Sequence, residues 1–138
     1  MESIVTLSEL TGKTNFTVEF DALITFDGGI TGFIAYNDND NFTRISTTNS
    51  SNTQRIVVNG SATENDTTHS NILNRLTHFK YTIRDNQIIC DVKDGNTVID
   101  NRTFNYTVTN DTKFGFPLIW YAPWVYNTFL KNIKIKAL

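Results

Sequence analysis

Residues 15–26 read N-F-T-V-E-F-D-A-L-I-T-F, and this stretch decides the fold. Phe16, Val18, Phe20, Ala22, Ile24 and Phe26 fill every even position. Thr17, Glu19, Asp21 and Thr25 fill the odd ones, and only Leu23 breaks the alternation. Successive side chains of a strand point to opposite faces, so the stretch predicts one long strand with one apolar face. Such a face has to be covered by a second layer. The rest of the chain offers strands rather than helices, so that layer is expected to be another sheet.

Upstream, residues 3–7 suit a short strand and residues 11–13 a turn. Downstream, Asp27, Gly28 and Gly29 reverse the chain, because glycine tolerates the positive φ that tight turns require. Residues 31–36 (T-G-F-I-A-Y) read as a strand, 37–41 as an Asn/Asp turn and 42–47 as the returning strand. Residues 54–59 form a strand on Ile56, Val57 and Val58. Residues 60–70 are the longest polar stretch, followed by an expected helical turn over 71–75. Residues 76–84 alternate, with Phe79, Tyr81 and Ile83 on one face and His78, Lys80 and Thr82 on the other. Residues 87–92 return, and Asp94-Gly95 signals a hairpin. Two short strands are expected at 97–100 and 104–108. Residues 113–121 form an apolar, aromatic strand that stops before Pro123, which a central strand should not contain. Residues 128–137 close the chain, with Phe129, Ile133 and Ile135 inward and Lys131, Lys134 and Lys136 on the solvated face of an edge or outer strand. Ten to twelve short strands without a long helix predict an all-β sandwich or barrel. The 138 residues are read as a single domain, with no repeat or linker.

Composition narrows the function. With 12 basic and 14 acidic residues, the net charge is -2. No basic footprint points to nucleic acid. The lone Cys90 permits no internal disulfide and lies in the apolar run Ile88-Ile89-Cys90, which suits a buried, inert thiol. No apolar run approaches the roughly 20 residues of a membrane-spanning helix. The first residues lack a signal peptide's basic start and apolar run. That leaves a chain that is cytosolic when made or a fragment of a longer exported protein, and the expected setting is an extracellular surface or a virion. The triplet N-x-S/T occurs at Asn15, Asn41, Asn49, Asn59, Asn65, Asn101, Asn105 and Asn110. A chain rich in Asn and Thr makes such triplets without glycosylation.

Three pieces in fixed order carry a resemblance. They are F-T-V-E-F-D-A-L-I-T-F, then G-F-I-A-Y-N-D-N-D-N-F-T-R-I, then F-G-F ahead of an aromatic loop and the closing F-L-K-N-I-K-I-K-A-L. Together they resemble the concanavalin A-like lectin/glucanase (laminin-G-like) jelly rolls. The resemblance implies a two-sheet antiparallel β-sandwich of five to seven strands per sheet, with the first long strand near the last. Such domains serve as sugar-binding modules, adhesin domains, viral or phage tail modules and glycosidases.

Enzyme chemistry finds little support. The resemblance implies, for its glucanase members, a carboxylate cluster E-x-D-x-E or E-x-D-x-x-E on one strand, one member acting as acid and one as nucleophile. Glu19 and Asp21 supply the first two positions, but Leu23 and Ile24 stand where the last glutamate is needed. The two are read as solvated polar-face residues. His69 lies in a polar loop and His78 on a polar strand face, no G-x-S-x-G surrounds a serine, and two His with one Cys make no zinc site. No catalytic residue is assigned. Asn37, Asp38, Asn39 and Asp40 offer oxygens that a structural Ca²⁺ could use, the one cofactor left open. Such turns also form for backbone reasons alone.

Sugar binding fits better. Sugars present flat C–H faces, met by exposed aromatic rings, and hydroxyls, met by amide, carboxylate and guanidinium groups. Trp120, Tyr121, Trp124 and Tyr126 cluster around Pro123. Tyr36, Asn37 and Asp38, with Arg44 on the returning strand, form a second candidate patch. One joint site requires both loops at the same end of the sandwich. Trp120 could equally face the core with Phe116 and Leu118. The resulting expectation is a non-catalytic module that binds glycan, in adhesion or receptor recognition, within a larger surface or virion protein. Nucleic acid and membrane insertion are not expected as partners. A structural or oligomerisation domain, with the aromatic loop packed on another chain, is the alternative. A glycosidase with an irregular site is third.

Overall fold

A computed structural model describes residues 3–25, 30–37, 42–48, 53–58, 67–68, 72–119 and 128–138. The expected turn at residues 27–29 and nearly all of the polar stretch 60–70 lie outside the described residues.

The described strands are β1 (Ser3–Thr6), β2 (Phe16–Ile24), β3 (Ile30–Tyr36), β4 (Phe42–Thr48), β5 (Thr53–Val58), β6 (Thr67–Thr68), β7 (Leu76–Arg84), β8 (Gln87–Asp94), β9 (Thr97–Asn105), β10 (Lys113–Ile119) and β11 (Thr128–Ala137). A single 3₁₀ turn, Ser8–Leu10, is the one helical element among the described residues. The strands form two antiparallel sheets. Sheet A has the order β1-β10-β3-β4-β5-β6 and sheet B the order β11-β2-β7-β8-β9. As expected, the first long strand lies beside the last.

The even positions of β2 do what the alternation requires: Phe16, Val18, Phe20, Ala22 and Ile24 are all buried. Phe20 stacks on Phe79 of β7, with ring centroids 5.2 Å apart, and meets Phe116 of β10 edge-on at 5.2 Å. Phe33 of β3 packs on Tyr81 of β7 at 5.4 Å, and Phe16 meets Phe114 of β10 edge-on at 5.1 Å. These rings set β2 over β10 and β7 over β3. Few positions fill the core because each is large. Cys90 is buried and unbridged, as expected.

Three expectations need correction. No helical turn forms over residues 72–75. Leu73 instead bridges Ile24 in parallel, and Asn74 turns the chain at φ 57°, a conformation Asn tolerates. The two short strands expected at 97–100 and 104–108 are one strand, β9, with an irregularity where Val92 pairs Asp100 but Lys93 pairs Val98. The extra residue inverts the alternation, so Val98 faces out and Asp100 faces the core. Pro117 sits in β10 even though that strand is internal. The register with β3 ends at Gly115↔Ile34, so the missing N–H of Pro117 deprives no ladder bond on that side.

The third correction concerns β11. Phe129, Ile133 and Ile135 are not inward but 58%, 48% and 46% exposed. Ile135 pairs with buried Val18 and so lies on the inner side by register, but β11 is the rim of its sheet and little covers it. The lysines do form the solvated face of an edge strand. The strand is irregular between Lys131 and Lys134, and Asn132 there adopts φ 55°.

Candidate polar trough on the five-stranded sheet

The outer face of sheet B carries the odd residues of β2 and their register partners. Two rows cross it. One runs Lys134, Glu19, Lys80, Asp91, Asn101; the next runs Lys131, Asp21, His78, Lys93, Val98. Neighbouring strands are about 4.8 Å apart, so acid, base and amide groups alternate at that interval. Glu19, His78, Lys80, Asp91, Lys93, Val98 and Asn101 line a trough of about 420 Å³.

The charges of the trough are largely matched. Lys80 Nζ lies 3.6 Å from Glu19 Oε1, and the Asn101 amide donates to Asp91 Oδ1. Beside the trough, Asp21 is held on both oxygens. Asn132 Nδ2 donates to Oδ2 at 2.8 Å, and His78 Nδ1 is 2.8 Å from Oδ1. An ionised carboxylate can only accept, so His78 carries its proton on Nδ1. The irregularity in β11 is what aims Asn132 at Asp21. The Asn132 bond first, and then the His78 bond, hold the Asp21 carboxyl below its ordinary value of 3.8. Glu19 and Asp21 are thus half-buried and partnered, not freely solvated.

A pH test follows from the lowered value. Asp21→Asn should cost about 1 kcal/mol at neutral pH, the worth of a charge-assisted hydrogen bond near the surface. A depressed folded value contributes stability that is complete above the unfolded value and is lost as pH falls through the folded one. The gap between the wild type and Asp21→Asn should therefore narrow below about pH 4, read from urea midpoints at a series of pH values. A gap that stays constant down to pH 2 contradicts the assignment.

Of the residues expected to bind ligand, Trp120, Tyr121, Trp124, Tyr126 and Asp38 lie outside the described residues. Tyr36 and Arg44 are placed by backbone register only: Tyr36 pairs Phe42, and Arg44 pairs Ile34 and Val57. Asn37 follows β3, and its amide oxygen accepts from the buried Thr112 hydroxyl. That bond ties the end of β3 to the chain entering β10.

Tyr36 pairs Lys113 at the start of β10, whereas residues 120–127 depart from its far end, at Ile119. They rejoin at Thr128, opposite Ile24. Tyr36 and the anchors of residues 120–127 thus stand at opposite ends of β10, and the aromatic rings themselves lie outside the described residues. The trough lies toward the same end as the aromatic segment's anchors, because Asp21 pairs Lys131 three positions beyond Thr128. Sequence reasoning missed the trough because its members come from four strands. The available signal was the alternation that sets Glu19, His78, Lys80, Asp91 and Lys93 outward.

No protein family matches the sequence, and no curated protein is similar to it. Solved structures do match. The galectin LEC-6 of Caenorhabditis elegans aligns with a TM-score of 0.66 at 6% identity, over 99% of this chain and 91% of that one. The carbohydrate binding module CBM66 from Bacillus subtilis aligns at 0.64 and 15% identity, over 91% and 76%. The chain shares with these structures the two-sheet antiparallel β-sandwich fold. A GH43 protein from Bacillus licheniformis also aligns, at 0.59 and 9% identity, but this chain spans only 27% of it.

Proposed function

We propose that the chain is a non-catalytic carbohydrate-binding module that serves adhesion or receptor recognition within a larger surface or virion protein. The observation that carries this reading is the trough. Its carboxylate, ammonium and amide groups are held in fixed alternation, the arrangement that hydrogen-bonds ring hydroxyls without a net charge on the ligand. The lectin-type fold supports it. The nearby anchoring of residues 120–127 supports a division of labour, with rings of Trp120, Tyr121, Trp124 and Tyr126 stacking on sugar C–H faces and the trough taking hydroxyls. Tyr36, Asn37, Asp38 and Arg44 would contribute further stacking and hydrogen bonds. A glycoside hydrolase needs a carboxylic acid that keeps its proton, and Asp21 is held the opposite way. Affinity per site is expected to be weak and raised by multivalent display.

A glycan array probed with the purified protein, with Trp124→Ala and with Asp91→Ala, tests the reading. Binding to a neutral glycan that falls at least tenfold in both folded variants is the expected result. Binding to no glycan, or binding indifferent to both variants, rejects it.

A further inference from the structure

The strand β11 presents a second surface, separate from the trough. It is the rim of sheet B, pairs with β2 on one side, and among the described residues meets no strand on the other. A free strand edge displays a row of unpaired N–H and C=O groups and is a template for another strand. This one also displays apolar side chains at Phe129, Ile133 and Ile135, with Leu138 just beyond it. Residues 128–138 read T-F-L-K-N-I-K-I-K-A-L: three lysines and no acidic residue. None of the three lysines has an ion pair among the described residues. Glu19, beside Lys134 in register, is engaged by Lys80, and Asp21, beside Lys131, is hydrogen-bonded to His78 and Asn132.

The charge pattern selects the occupant. A second copy pairing edge to edge in antiparallel fashion, outer face continuing outer face, would set Lys134 and Lys136 against each other or against uncharged residues, and like charges directly opposite destabilise a ladder. The irregularity at Asn132 and the lysines are the usual devices that stop a strand from recruiting itself. They do not stop a strand that brings carboxylates. We propose that the straight part of β11, Ile133 to Ala137, is a docking edge for an extended acidic segment of another protein. That segment adds to sheet B by β-augmentation. Its backbone pairs with the free edge, carboxylates at alternate positions face Lys134 and Lys136, and the intervening apolar residues cover Ile135.

The test uses blocked nine-residue peptides of alternating valine and glutamate, or of valine and lysine, titrated into the isotope-labelled protein. The glutamate peptide should shift the amide resonances of residues 130–138. Lys134→Glu/Lys136→Glu should weaken it by at least about tenfold and admit the lysine peptide instead. Should that variant fold poorly, Lys134→Gln/Lys136→Gln with the glutamate peptide gives the same loss. No shift at millimolar glutamate peptide overturns the proposal. So do shifts confined to the trough, and binding that survives the charge reversal. A concentration-dependent dimer that shifts the same amides without peptide overturns it in favour of a second copy. Preferential binding to phosphatidylserine vesicles through the same lysines overturns it in favour of a membrane surface.

Discussion

Phe20→Ala is expected to lower the unfolding free energy by about 3–5 kcal/mol, measured as a fall in the urea midpoint with an unchanged slope. Phe20 is fully buried, and its ring touches Phe79 and Tyr81 on its own sheet and Phe116 on the other. Truncation removes the apolar transfer energy and leaves a cavity walled by three rings that cannot all close on it. A domain's stability is about 5–15 kcal/mol, so the variant should be marginal or unfolded. Leu23→Ala is the control. Leu23 lies in the same strand but on the outer face and only half-buried, and should cost about 1 kcal/mol or less. Equal costs at the two positions would mean that the two-layer description of β2 is wrong.

Arg102→Leu should cost about 3 kcal/mol, a large effect for a residue on a rim strand. Asp100 and Arg102 lie on the core side of β9, with side chains only 5% and 12% exposed. Their register partners are buried Val92 and Cys90. Arg102 Nε is 3.3 Å from Asp100 Oδ2, and among the described residues that oxygen receives no hydrogen bond. The carboxylate therefore relies on the nearby guanidinium charge. Removing the arginine leaves a buried carboxylate without that charge, which costs more than the pair itself contributes. Asp100→Asn/Arg102→Leu should recover most of the loss, because the charge goes with its partner. Arg75→Ala removes an ion pair that is shorter, 2.8 Å to Asp94, yet the arginine is 56% exposed. Water and salt screen it, and the expected cost is about 0.5 kcal/mol or less. If Arg75 matters more than Arg102, distance rather than burial governs, and the reasoning fails.

The strands that face the core squarely are those the amino-acid alternation reveals. β2 and β7 appear in the sequence as they do in the fold, because each has one wet and one dry side and no inserted residue. β9 and β11 were harder for a shared reason. A single extra residue flips every later side chain, and nothing local announces it. In β9 the alternation would carry Val98 inward with Asp100, and the insertion sends them to opposite sides. In β11 the apolar residues were assigned to the core because alternation tells which side a residue takes, not whether anything covers that side. The position of a strand at a sheet's rim is a property of the whole topology. The trough was illegible for a related reason. Glu19, Lys80, Asp91 and Asn101 are scattered through the chain and meet only through three ladder registers. The aromatic segment was conspicuous in the sequence, and the structure adds the location of its two anchors.

The pairing of β2 with β11 also has a consequence in time. Phe16 meets Ala137, and Leu138 donates its N–H to the Asn15 carbonyl, so the ladder joins opposite ends of the chain. During synthesis β2 is made early, and its partner leaves the ribosome only after more than a hundred further residues. At ~5–20 residues per second, the apolar face and open edge of β2 wait on the order of ten seconds for completion. The nascent chain is therefore expected to need shielding during that interval. Truncations that stop short of β11 should accumulate as chaperone-bound or aggregated material rather than as a smaller folded core.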